Sequence, residues 1–191
     1  MDTTRRTLLS LMTTGFFVPA ARAQEPLPTL RNARGQAIRF ADPAPVGRHV
    51  LTGPDGRTTR LERFQGTVLI VNFFATWCPP CRQELPALDA LLQRETGLRA
   101  VAISVDREGA RVVRPYLAGL GLKRLPAFID PDFRVARRTD EATPQDPFRL
   151  FGLPLSYVLT PGGRNFGYVA GAMDWAGPAA RALLDEAAAA G

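Results

Sequence analysis

The chain has 191 residues, 46% of them hydrophobic and 22% charged, with a formal net charge of +6 and a sequence pI of about 10.3. That apolar share supports one sizeable core and excludes a disordered chain. The basic residues are scattered, with only Lys123-Arg124 and Arg137-Arg138 adjacent beyond the first turn of sequence, so no basic stripe interleaved with aromatics speaks for nucleic-acid binding.

The chain opens on Thr4-Arg5-Arg6-Thr7-Leu8-Leu9, a modestly apolar stretch to Ala20, and Ala21-Arg22-Ala23 before Gln24. A charged start, a short apolar region and an Ala-x-Ala site predict a secretory signal peptide over residues 1–23. The paired arginines resemble a twin-arginine signal, with general secretory export as the alternative. The apolar run is too short and too Thr-rich to span a bilayer, and no second one follows. The expectation is an exported, periplasmic protein, soluble after cleavage and monomeric.

Residues 24–48 form an arm holding Pro26, Pro28, Pro43 and Pro45. It reads either as an extended segment or as a short strand pair turning at Arg34-Gly35, pinned by Leu27, Leu30, Ile38 and Phe40. The main domain is placed at 49–191. Val50-Leu51 and Thr58 to Leu61 flank Gly53-Pro54-Asp55-Gly56, a hairpin signal. Thr67 to Phe74 is a buried strand by its β-branched and aromatic run. Leu85, Leu88, Leu91 and Leu92 recur at helical spacing and define an amphipathic helix, with Gly97 as its C-cap.

Leu98 to Val105 is the next buried strand, and Val112, Val113, Tyr116, Leu117 and Leu120 mark a helix over 109–119. Strand and helix alternate as in parallel βαβ units. Ala127 to Asp130 reads as a short strand, Phe133 to Arg138 as a helical turn or two, and Thr139 to Phe148 as a polar insertion longer than most connections. Leu155 to Leu159 is a strand. Thr160-Pro161-Gly162-Gly163 turns the chain into a last strand over 165–170, and Pro178 to Ala190 is a closing helix.

Both cysteines stand in one motif, Cys78-Pro79-Pro80-Cys81, between the buried strand and the amphipathic helix. Proline is tolerated in a first helical turn. Cys78 then sits at a helix N-terminus, where unpaired N–H groups and the helix dipole stabilise a thiolate. It is the expected nucleophile. Cys81, one turn on, reaches the Cys78 sulfur and resolves a mixed disulfide. The pair forms a redox-active disulfide that needs no cofactor. An inert bridge would close too small a loop to restrain the unfolded chain much. A zinc site would need more ligands than the single histidine, His49, adds, so no metal is assigned.

The segment Asn72-Phe73-Phe74-Ala75-Thr76-Trp77-Cys78-Pro79-Pro80-Cys81-Arg82-Gln83-Glu84-Leu85-Pro86 resembles the active-site segment of the TlpA/ResA-like thioredoxins, exported thiol–disulfide reductases. The resemblance runs from about residue 50 to about residue 188. It implies an α/β thioredoxin-like fold: a mixed central sheet with helices on both faces, preceded by an N-terminal hairpin extension.

It further implies that Pro154, in Gly152-Leu153-Pro154-Leu155, is the family's cis proline. That would turn the Leu153 backbone toward Cys78 for a client strand to pair with. A trans proline opening a strand is the ordinary alternative. The family's glutamate near the disulfide corresponds to Glu84, which either exchanges a proton with Cys81 or only stabilises the helix start. Asn72 stands where many thioredoxins have a buried acid and cannot titrate. Trp77 shields the disulfide and offers an apolar landing surface. Phe74 and the segment at Asp174-Trp175 pack, and His49 is a surface residue.

The implied partners are a membrane thiol-electron donor and client proteins with oxidised cysteines, in the family apocytochrome c or copper-oxidase assembly factors, and no nucleic acid. A copper(I) chaperone using the dithiol is the alternative, opposed by one histidine and no Met-rich tract. A peroxidase is weaker still, since the motif is a Cys-x-x-Cys pair. With prolines at both intervening positions, neither can donate an N–H to the sulfur. The predicted potential is therefore reducing, on the order of −270 mV.

Overall fold

The computed structural model describes residues 36–143 and 145–191, together with the backbone of Leu30 and Arg31. The signal peptide read at 1–23 and the turn read at Arg34-Gly35 lie outside the described residues. The elements in chain order are β1 (Leu30–Arg31), β2 (Gln36–Pro45), β3 (Val50–Thr52), β4 (Thr58–Arg60), a 3-10 turn over Leu61–Phe64, β5 (Val68–Phe74) and α1 (Pro79–Arg94). There follow β6 (Leu98–Ser104), α2 (Ala110–Leu120), β7 (Ala127–Ile129), β8 (Arg137–Arg138), β9 (Arg149–Leu150), β10 (Leu155–Leu159), β11 (Arg164–Ala170) and α3 (Pro178–Ala189).

The main sheet runs in the order β1-β2-β11-β10-β5-β6-β7-β3-β4. β5, β6 and β7 are parallel, whereas β10 lies antiparallel to both β5 and β11. The sheet is therefore mixed, with its parallel part at the centre. Every residue of β5 and β10 is buried, as is all of β6 except Arg99. Strands covered on both faces read as continuous apolar runs, which is why these three were plain in the sequence. On α1, Leu85, Leu88 and Leu92 are buried while Arg82, Gln83 and Gln93 face out.

Of the two readings of residues 24–48, the structure has strands. Leu30 pairs with Ala37, and Gln36–Pro45 joins the main sheet beside β11. The close approach of these strands depends on Gly167, where a Cβ would stand 2.2 Å from the Ile38 carbonyl oxygen. The β3–β4 hairpin closes over Gly53 to Gly56.

Two expectations are corrected. α1 ends at Arg94, not at Gly97, because Glu95 is already extended while its N–H still bonds to the Leu91 carbonyl. Residues 133–138 are not a helical turn. The buried Asp130 carboxylate accepts the backbone N–H groups of Arg134, Val135 and Ala136 at 2.7–3.1 Å, leaving none of them for helical bonding. The chain then runs into β8, which pairs in parallel with β9. The insertion at 139–148 thus connects two paired strands. Among the described residues, no helix is long and apolar enough to cross a membrane.

Candidate active site

The strand–helix junction places the cysteines. Cys78 is the N-cap of α1, with extended backbone, and Pro79 and Pro80 fill the first helical positions. Cys78 and Cys81 are joined, with an S–S distance of 2.06 Å. Cys81 is fully buried, and Cys78 keeps 3% of its surface.

The loop before Cys78 is tied to the end of β6. The Asp106 carboxylate accepts the Thr76 N–H at 2.9 Å, the Thr76 hydroxyl at 2.8 Å and the Ser104 hydroxyl at 2.7 Å. Arg82 Nε donates to the Thr76 carbonyl at 3.2 Å, so its guanidinium braces the same loop. These bonds hold Trp77 at the surface, 66% exposed.

Glu84, read as the nearest titratable group, is 2% exposed. Its Oε2 accepts from Asn72 Nδ2 at 2.9 Å. Its Oε1 accepts from Trp175 Nε1 at 2.8 Å and from the Met173 N–H at 3.2 Å. Asn72 Nδ2 also donates to Ser156 Oγ at 2.8 Å, which follows from register, since the two residues face each other across β5 and β10. Burial pushes the Glu84 carboxyl above its ordinary range, and the bonds from Trp175, Met173 and Asn72 oppose that push without cancelling it. Asn72 Oδ1 is buried with no partner.

The Leu153–Pro154 peptide is cis, as the resemblance at Gly152 to Leu159 implied. Gly152 and Leu153 line a groove of about 630 Å³. Trp77, Cys78, Pro79 and Pro80 line it from the start of α1, and Arg107, Phe133 and Leu150 from the loops after β6 and β7 and from β9. Cys78 lines this groove; Cys81 does not. Glycines aside, Phe133 alone among the described residues has a positive φ, +55°. That conformation costs an L-residue about 1–2 kcal/mol. The three N–H bonds to Asp130 hold the chain in it.

The structure thus brings Trp77, Cys78 and Leu153 to one groove, while Cys81, Pro154 and Glu84 are buried and do not line it. Sequence reasoning missed Trp175, which donates to Glu84 from 91 positions away and is 2% exposed rather than merely packing. A tryptophan N–H that is buried needs an acceptor, and this was the one available signal. It also missed Asp106 and the groove residues Arg107, Phe133 and Leu150. His49 is half-buried, with its Nε2 2.8 Å from the Val46 carbonyl and its ring against Phe148.

Comparison with known proteins agrees with this geometry. Residues 40–164 match the AhpC/TSA family. The thiol-disulfide oxidoreductase ResA of Bacillus subtilis is 26% identical over 126 residues, covering 65% of this chain and 64% of ResA. The chain spans about half to just under two-thirds of the length of the curated relatives it matches, from 47% to 64%. A thiol:disulfide interchange protein of the thioredoxin family from Chlorobium tepidum superposes with a TM-score of 0.56 at 26% identity, covering 77% of this chain and 97% of that one. The exposed lipoprotein thioredoxin Etrx1 of Streptococcus pneumoniae superposes with a TM-score of 0.61 at 21% identity, over 73% of this chain and 99% of that one, which speaks for the fold alone. With more than half its length matched, a stretch that takes in both cysteines, Asp106 and Pro154, the chain belongs to the AhpC/TSA family of thioredoxin-like proteins.

Proposed function

We propose that the protein is an exported thiol–disulfide oxidoreductase that reduces disulfides of specific client proteins. The observation that carries this reading is the asymmetry of the two sulfurs: Cys78 lines an open groove while Cys81 is sealed in the core. A client disulfide entering the groove meets only Cys78.

The steps follow from that asymmetry. In the reduced protein the Cys78 thiolate attacks one client sulfur, forming a mixed disulfide and expelling the second client sulfur as a thiolate, which takes up a proton. Cys81 loses its proton and attacks Cys78 Sγ. The Cys78–Cys81 bond forms, the mixed disulfide breaks, and the first client sulfur leaves as a thiol. Two electrons have passed to the client. A dithiol donor at the membrane returns them by the reverse exchange.

Glu84, on the same helix three residues beyond Cys81, is the group we assign to the proton of Cys81. Its raised pKa favours the proton-holding form nearer neutrality, as a general acid–base requires. The relatives named as thiol–disulfide oxidoreductases support the reaction class. Residues 1–23 support export to the periplasm, and maturation of c-type cytochromes or copper oxidases is the client class implied by the resemblance.

Cys81→Ser tests the reading. Incubated with an extract of exported proteins, this variant should accumulate covalent adducts that dithiothreitol releases, and Cys78→Ser should not. Adducts on Cys78→Ser alone would reverse the roles and contradict the mechanism.

A further inference from the structure

The lining of the groove carries a charge that the redox reaction does not use. Phe133 stands there in left-handed backbone, a conformation bulky residues rarely adopt. The Arg107 guanidinium lies over its ring at 5.8 Å from the centroid, and that of Arg138 at 6.0 Å. The two cations differ. Arg138 is already paired with Asp140 at 3.1 Å and with Glu141 at 2.6 Å. Arg107 has no carboxylate partner among the described residues, and its only fixed contact there is the Phe133 face. Glu108, the next residue, also lines the groove but makes no hydrogen bond or ion pair among the described residues that would hold it inward. Besides the paired Arg138 and the unheld Glu108, the groove therefore presents the Arg107 guanidinium, fixed over Phe133, beside the apolar surface of Trp77, Pro79, Phe133 and Leu153.

We propose that Arg107 is a specificity residue of this groove, favouring client segments that carry an acidic side chain next to the oxidised cysteine. The inference rests on the redox reading of the same site. A client segment whose cysteine meets Cys78 enters the same groove that Arg107 lines. Its neighbouring side chain then meets either the guanidinium or an aromatic face. A carboxylate gains a charge-assisted bond there, and a lysine is repelled. Trp77 and Phe133 accept the remaining apolar atoms. The net basic charge of the chain acts in the same direction at longer range.

The test uses the reduced full-length protein and short peptides whose one cysteine is disulfide-bonded to 2-mercaptoethanol. In each exchange the peptide disulfide is reduced to peptide thiol and mercaptoethanol, and Cys78–Cys81 forms, so two electrons are transferred. The residue flanking the cysteine is Glu, Gln or Lys, on each side in turn. Rates are divided by those of the same peptides with dithiothreitol, which removes their intrinsic reactivity.

The expected order is Glu above Gln above Lys, with a Glu-to-Lys ratio of about fivefold at low ionic strength, the range a partly exposed ion pair supplies. The ratio should shrink in about 0.5 M salt. In Arg107→Ala it should fall toward one, in Arg107→Lys it should largely persist, and in Glu108→Gln it should persist or grow. Because each ratio is taken within one protein, a general loss of rate cancels. A preference for Lys, or a ratio unchanged in Arg107→Ala, overturns the proposal. Hydroxyethyl disulfide separates the two levels of failure. A wild-type protein that reduces it but shows no flanking preference refutes the role of Arg107 alone; one that reduces neither it nor any peptide refutes the redox reading beneath it.

Discussion

Replacing Glu84 by glutamine separates the charge of this buried side chain from its shape. In the oxidised protein the carboxylate accepts three hydrogen bonds, from Asn72, Met173 and Trp175. Burying a carboxylate costs several kcal/mol. Bonds to a charged acceptor are each stronger than neutral ones by about 1 kcal/mol. The upward pKa shift, caused first by burial, says that the cost exceeds the return from the three bonds. A neutral amide avoids the cost and can keep the bonds to Trp175 and Met173. Its NH₂ group would face the Asn72 NH₂, but Asn72 Oδ1 has no partner, so rotation of that amide turns an acceptor toward position 84.

The sign follows from linkage. A carboxyl with a raised folded pKa binds its proton more tightly in the folded state, so wild-type stability falls as pH rises from the ordinary value of 4.5 through the folded one. Glu84→Gln lacks this loss. It should match the wild type at acid pH and exceed it near neutrality by on the order of 1 kcal/mol. Urea unfolding of both oxidised proteins from about pH 4 to about pH 8 measures the difference directly. If Glu84 also serves Cys81, the pH profile of disulfide exchange should flatten in the same variant. A variant less stable than wild type by more than about 2 kcal/mol at neutral pH, or a difference independent of pH, would show that the carboxylate is a net anchor and refute the reasoning.

Two further substitutions probe the supports of the site. Trp175→Phe removes the N–H that stabilises the Glu84 carboxylate at 2.8 Å, so it should cost about 1.5–3 kcal/mol at neutral pH and less at about pH 4, where the protonated acid needs that bond less; an equal cost at both pH values would mean that packing alone is lost. Asp106→Ala frees the Thr76 N–H and hydroxyl and the Ser104 hydroxyl, and should lower stability by about 2–3 kcal/mol, or the melting temperature by roughly 5–10 °C, with slower exchange at Cys78. A shift below about 2 °C by circular dichroism would show that the loop holds itself.

How much of this was legible in the sequence depended on how local each cause is. The central strands announced themselves because both faces of Val68–Phe74, Leu98–Ser104 and Leu155–Leu159 are covered, and α1 through the spacing of its leucines. The cysteines, Trp77 and Pro154 were legible because the motif lies within a few positions of one strand–helix junction and one strand start. The segment at 133–138 was misread because its fate is set by the Asp130 side chain and by pairing of Arg137 with Arg149, neither visible in periodicity. The partners of Glu84 were hidden for a stronger reason. Asn72 lies on β5, whereas Met173 and Trp175 lie much later in the chain, in the loop between β11 and α3, and only the packed sheet and the approach to α3 bring them onto one carboxylate. Arg107 and Phe133 meet from two loops, one after β6 and one after β7, and the second opens the segment read as a helical turn.

The central claim, that Cys78–Cys81 serves as a reductant, is tested most directly by its potential. Cys78 caps α1, and the positions after it are Pro79 and Pro80, which offer the sulfur no N–H. The Arg82 side chain is spent on the Thr76 carbonyl, and Glu84 lies buried on the same helix. The reduced form is thus only modestly stabilised. Equilibration of the protein with graded ratios of reduced to oxidised glutathione, quenched by acid and resolved by mass, should give a potential on the order of −270 mV. A value above about −180 mV would contradict the account and make the protein an oxidant.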